Sequence, residues 1–196
     1  MRVPPFRRNA FYSCLVLLSI SCASAQAADY QDPGQPGNPE SWRSSEFKAE
    51  WGLDAMKAQY AYSAGYTGKK SFIGVLDSGF YDKHPGLPAS RFLPVVSNGI
   101  SGTLNKKNND HGTLVSGTIG AARDGKDMHG VAFNATVYEA NTNATDGFLF
   151  GVSDPKFPSS DAKYLAAAYD ALVAQGVRII SNSWGSQPAS ENYSTL

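Results

Sequence analysis

Two short stretches hold the residues best suited to chemistry. "VLDSGFYDKH", residues 75–84, places Asp77 at the end of an apolar run, with Ser78 and Gly79 after it. "HGTLVSGTIGA", residues 111–121, opens on His111. An imidazole becomes a general base when a carboxylate holds one ring nitrogen and the other is free for a hydroxyl. Each residue alone has a plainer reading, the aspartate capping a turn and the histidine capping or packing a helix start. His84, in the proline turn "DKHPGL", and His129, in a polar loop before Gly130, are read in that plainer way.

Positioned chemistry needs elements that hold it. "SFIGVLD" (71–77) is a short apolar run of the kind that forms a strand buried on both faces of a parallel sheet. Asp77 then stands at its carboxyl end, where ligand-facing residues of open parallel sheets collect. "NATVYEAN" (134–141) and "VRIISNSWG" (177–185) are two further candidate strands. Between them, Leu165, Ala168, Tyr169 and Leu172 mark the apolar face of a helix, with Asp161 in its first turn and Gly176 just past its end. Small residues after His111, with Gly112 and Gly117, let a helix start approach neighbouring backbone closely. Phe47, Trp51, Ala55, Ala58 and Tyr62 recur at helical spacing across 45–64, although Gly52 weakens that helix. The fold class expected is α/β, a parallel sheet flanked by helices.

The N-terminus reads as an export signal over residues 1–27. Arg2, Arg7 and Arg8 precede an apolar stretch too short to span a bilayer, and Ala25 and Ala27 supply the small residues of a cleavage site. Both cysteines, Cys14 and Cys22, fall inside it, so the exported part carries no disulfide and no thiolate. Cys22 near the end of the apolar run raises lipidation as a minor alternative. Residues 28–44, rich in Pro, Gly, Asp and Asn, read as an extended leader or linker, and 45–196 as the domain. Lys plus Arg and Asp plus Glu both number 17, which gives no bias toward nucleic acid or anionic membranes.

Taken together, the two motifs resemble the subtilisin-like serine proteases. The aspartate motif of that family, two aliphatics before Asp, a small residue and Gly, is met by "VLDSGFYDKH". Its histidine motif, His-Gly-Ser/Thr followed by an aliphatic and small residues, is met by "HGTLVSGTIGA", in the right order and a few tens of residues on. "HGVAFNATVYEAN" and "IISNSWG" look like the family's next sheet strand and its substrate strand. The stretch "EWGLDAMKAQYAYSAGYTGKKSFIGVLDSG" is reminiscent of bacterial autotransporter members, which add an outer-membrane barrel that these residues do not contain.

The resemblance implies a three-layer subtilisin-like fold and a protein or peptide substrate. It makes Asp77 and His111 catalytic, and Ser183, Trp184 and Gly185 the lining of a groove that pairs with extended peptide. It requires no metal for chemistry, and calcium, which stabilises many members, has no identifiable ligand cluster in the sequence. The family's nucleophile motif, Gly-Thr-Ser-x-Ala-x-Pro, does not occur in the 196 residues. The chain is therefore expected to be the N-terminal part of a peptidase domain, inactive by itself. Two alternatives stand beside it. One is a non-catalytic exported protein. The other is an aspartic protease, which also uses Asp-Ser-Gly but needs two carboxylates sharing a proton. Since no second such motif is present, that reading requires a dimer through Asp77.

Overall fold

The apolar run before Ser78 forms β1 (Phe72–Asp77), an interior strand of a parallel sheet, in a computed structural model that describes residues 32–97, 99–104, 111–142 and 161–183. Its neighbours are β7 (Thr136–Asn141) on one side and β8 (Ile179–Ser181) on the other. Beyond β7 lies β3 (Phe92–Pro94), so the described order is β3-β7-β1-β8 with each pair parallel. Short pairs decorate the connection after β1. In these, β2 (Phe80–Tyr81) runs parallel to β6 (Thr103–Leu104), and β4 (Val96–Ser97) antiparallel to β5 (Ile100–Ser101).

Both faces of the sheet are covered. Leu76 and Ala140 point to α5 (Asp161–Ala174), which buries Leu165, Ala168 and Leu172 against them together with Val177. Those are positions of the apolar face that the helical spacing marks out, and Gly176 ends the segment with φ +80°. On the opposite face Val75 and Val137 pack with Phe80, Leu87, Phe92 and Ala121, under Val115 and Ile119 of α4 (His111–Gly120). Each fully buried aliphatic side chain here contributes about 1.5–3 kcal/mol of transfer free energy, which is why the two-sided run at 72–77 is interior. Helix, sheet and helix make the three layers.

Residues 45–64 differ from the single amphipathic helix expected. They form α1 (Ser45–Ala49), α2 (Trp51–Ala55) and α3 (Ala58–Ser63). Glu50 adopts an extended conformation and caps α2 by accepting from the Gly52 N–H at 3.1 Å, while Lys57 takes a left-handed φ of 58°. These breaks re-phase the stripe. Trp51 ends up 79% exposed and Leu53 is buried in its place, beside Phe47, Ala58 and Tyr62.

Residues 32–44 are packed rather than extended. The Gly37 N–H donates to Ser63 O at 2.8 Å, and a 3-10 turn at Pro39–Trp42 folds the Trp42 ring against Tyr62 and Phe133. Trp42 Nε1–H returns to Gln35 O at 3.0 Å, and Asp32 pairs with Arg123 at 2.9 Å. Proline and glycine turns let the chain curl around the Trp42 ring, which is buried. Residues 1–27, where an export signal is expected, with Cys14 and Cys22, and residues 28–31 lie outside the described residues.

Candidate active site

The end of β1 carries Asp77 into the carboxyl edge of the sheet. Its side chain is 3% exposed, and Oδ1 accepts from the Ser78 N–H at 2.7 Å. The Asp77 carbonyl accepts from the Thr142 N–H at 2.8 Å, so both main chain and side chain are held. The chain leaves through Gly79 at φ +91°, a conformation that side chains with a Cβ rarely adopt.

That exit turn receives the start of α4. Gly112 lies against it so closely that a Cβ there would collide with the Gly79 carbonyl oxygen. The Gly112 N–H donates to Ser78 Oγ at 3.0 Å, and the Tyr81 N–H donates to Thr113 Oγ1 at 3.0 Å. Residues 112 and 113 are thereby pinned to the segment just after Asp77. The consequence falls on His111. Its Nδ1 sits 2.9 and 3.0 Å from the two carboxylate oxygens of Asp77, while 57% of its side chain stays exposed. With Nδ1–H committed to the carboxylate, Nε2 is the nitrogen left to take a proton from an incoming hydroxyl.

Ser183 stands at the same end of the sheet. Ser181 pairs with Val75 in the β1–β8 register, and Ser183 follows two residues later, exposed, with its Oγ 2.9 Å from Ser181 Oγ. Trp184 and Gly185 lie outside the described residues. Among the described residues no group of three His, Cys, Asp or Glu is placed to hold a metal ion.

One group beneath the pair escaped the reading of the sequence. Glu139 is fully buried on β7, opposite Val75 and on the same sheet face as Asp77. The Ser116 hydroxyl of α4 donates to its Oε1. Burial pushes the Glu139 carboxyl well above its ordinary value of 4.5; the Ser116 bond pulls the other way and the Asp77 charge adds to the rise. The signal was present in "TVYEAN", a carboxylate in mid-strand where both faces are covered. Nothing local says which side chain meets it.

The Subtilase family model matches residues 68–196, which includes β1, both motifs and the end of the sheet. This chain belongs to the subtilase family. Over 177 residues it is 37% identical to an extracellular serine protease of Serratia marcescens, a match covering 86% of this chain and 14% of that protein. The minor extracellular protease Epr of Bacillus subtilis is 31% identical over 136 residues, covering 69% of this chain and 19% of Epr. Among solved structures, fervidolysin from Fervidobacterium pennivorans superimposes with a TM-score of 0.51 at 22% identity, over 82% of this chain and 26% of fervidolysin. The latter likeness concerns the fold, which is the subtilisin-like α/β arrangement. This subtilase chain thus spans a minor share, 14% and 19%, of the two curated relatives.

Proposed function

We propose that this subtilase chain supplies the aspartate and histidine of an exported serine endopeptidase that hydrolyses peptide bonds in proteins. The observation that carries the reading is the contact between a buried carboxylate and a half-exposed imidazole, Asp77 to His111 Nδ1 at 2.9 Å, at the carboxyl end of the sheet. In this reading Asp77 holds the ring in the tautomer with Nδ1 protonated and stabilises the imidazolium. His111 takes the proton of a serine hydroxyl through Nε2 and later returns it to the leaving amine. The serine attacks the peptide carbonyl, and hydrogen-bond donors beside it stabilise the oxyanion. Ser183 contributes to an edge on which an extended substrate pairs, and the family resemblance extends that role to Trp184 and Gly185. No metal takes part in the chemistry.

Export follows from the signal at residues 1–27 and agrees with the extracellular relatives in Serratia marcescens and Bacillus subtilis. An aspartic dyad would require Asp77 to give up the imidazole that both its oxygens face, and would leave His111 without a role. The nucleophile motif is not among the 196 residues, so the serine is expected from sequence encoded beyond them. The test has two arms. The product of the longest in-frame coding sequence should hydrolyse casein and lose that activity on His111→Ala or Asp77→Ala. The 196-residue chain alone should hydrolyse nothing; activity there that Asp77→Ala abolishes would overturn the placement of the nucleophile. A genuine stop codon after Leu196 would favour the non-catalytic alternative.

A further inference from the structure

A carboxylate buried in the middle of a sheet is a liability unless the structure uses it. Glu139 is flanked by Pro94 on β3 and Val75 on β1, with no solvent exposure. One oxygen is bonded by Ser116, which is itself fully buried, and the other, Oε2, has no hydrogen-bond partner among the described residues. An ionised carboxylate would leave that oxygen bare in an apolar layer, which burial penalises heavily. It would also face a second negative charge, since Asp77 lies two residues beyond Val75 on the same face. A neutral carboxylic acid lightens the first penalty, since Oε2 is then bare but uncharged, and removes the second, and it still bonds Ser116.

The location of that bond gives it a consequence. Ser116 is five residues after His111 on α4, about 7–8 Å along the helix axis. The first turn of the helix is held at the end of β1 and the segment after it, by His111 to Asp77, Gly112 to Ser78 and Thr113 to Tyr81. Ser116 to Glu139 adds a tie further along the helix, to the neighbouring strand. Ties confined to the first turn leave the rest of the helix able to tilt about that end; a tie on another strand, further along, opposes the tilt. Catalysis by a base is sensitive to displacements of about 1 Å, which cost on the order of 100-fold in rate.

We propose that Glu139 is a positioning residue for the Asp77–His111 pair, tying α4 to the sheet through Ser116 and so fixing where His111 meets Asp77. The acid form makes the tie, and Asp77 then acts on the imidazole without a second carboxylate charge beside it. This inference rests on the endopeptidase reading above, and the test separates the two.

The experiment uses the product of the longest in-frame coding sequence, a fluorogenic peptide, and the variants Ser116→Ala, Glu139→Leu, Glu139→Gln and His111→Ala. Ser116→Ala and Glu139→Leu should lower kcat roughly 10- to 100-fold with KM within about twofold of the parent. Glu139→Gln, which keeps a neutral hydrogen-bonding group, should retain kcat within about threefold and leave the acid limb of the pH profile in place. Ser116→Ala removes one oxygen and tests the tie even if Glu139→Leu does not fold. A natively melting Ser116→Ala with parental kcat overturns the proposal, and so does a Glu139→Gln that loses as much kcat as Glu139→Leu. Activity that survives His111→Ala would sink the endopeptidase reading, and with it this one. A His111→Ala without activity, beside a fully active Ser116→Ala, sinks the positioning role alone.

A second readout needs no activity. Because the folded-state pKa of Glu139 is raised, its contribution to stability is whole below about 4.5 and is lost as pH rises toward that folded value. Glu139→Gln should therefore gain melting temperature over the parent between pH 6 and 9 and not at pH 4. A parallel pair of curves contradicts the acid form.

Discussion

Two histidines of this chain use the same ring nitrogen in opposite surroundings. His111 presents Nδ1 to a carboxylate and leaves more than half of its side chain exposed. His129 donates Nδ1–H to the Gly130 carbonyl at 2.8 Å and is fully buried among Phe47, Tyr62 and Phe133. Its Nε2 accepts from Arg123 Nη1 at 3.1 Å, so both nitrogens are occupied and the ring is neutral. Burial lowers the His129 pKa, the Gly130 carbonyl opposes that, and the Arg123 cation lowers it further. Arg123 in turn spans the aromatic rings of Trp42 and Phe133 and pairs with Asp32. The two rings are set apart by what each nitrogen meets. A carboxylate on one nitrogen and access at the other suit proton transfer; a carbonyl on one and a guanidinium on the other lock the ring into the fold.

Substitutions at the two sites should therefore part cleanly. His111→Ala in the product of the longest in-frame coding sequence should lower kcat by about 10⁶-fold, the magnitude known for the histidine of another subtilase, at a stability cost of about 1 kcal/mol from the Asp77 carboxylate that loses its partner. Asp77→Asn should cost about 10⁴-fold by favouring the wrong tautomer, read from kcat at saturating peptide. His129→Ala should do the reverse, destabilising by about 3 kcal/mol in urea melts while the folded fraction keeps its turnover. Equal losses of turnover at the two histidines would erase the distinction.

The pH dependence sharpens it. The folded-state pKa of His129 lies below its ordinary 6.5, so the unfolded chain binds the proton first as pH falls. Stability from this group is whole above about 6.5 and is lost below it, down toward the folded value. Melting temperature should thus drop between pH 7 and 5 in the parent, and His129→Gln should flatten that slope. The smallest effect is expected at Trp51, whose ring touches little. Trp51→Ser should change stability by no more than about 0.5 kcal/mol, and a larger loss would mean that its exposed face is covered.

What could be read along the chain was whatever short-range pattern controls. The interior strand at 72–77, the strand at 136–141 and the apolar face of α5 follow from runs and spacings of a few residues. Asp77 and His111 stood out because their motifs also encode their supports, Ser78 and Gly79 on one side and Gly112 and Thr113 on the other. The helical stripe over 45–64 does not hold at Trp51 because Glu50 and Lys57 break the helix and shift its phase. The stretch at 32–44 looked like a linker because its partners are distant. Asp32 meets Arg123 91 positions on, and Trp42 stacks beside Tyr62 and Phe133.

Local pattern carried the family resemblance and the parallel α/β class and singled out Asp77 and His111 as candidates, since motif and hydrophobic period are local properties. Tertiary structure alone decided that Asp77 and His111 lie at hydrogen-bond distance, that His129 is buried beside a guanidinium, and that Glu139 meets Ser116 beneath the pair. Those contacts join side chains from separate elements. The charge a carboxyl or imidazole carries depends on the neighbours that folding brings to it, which spacing along the chain does not specify.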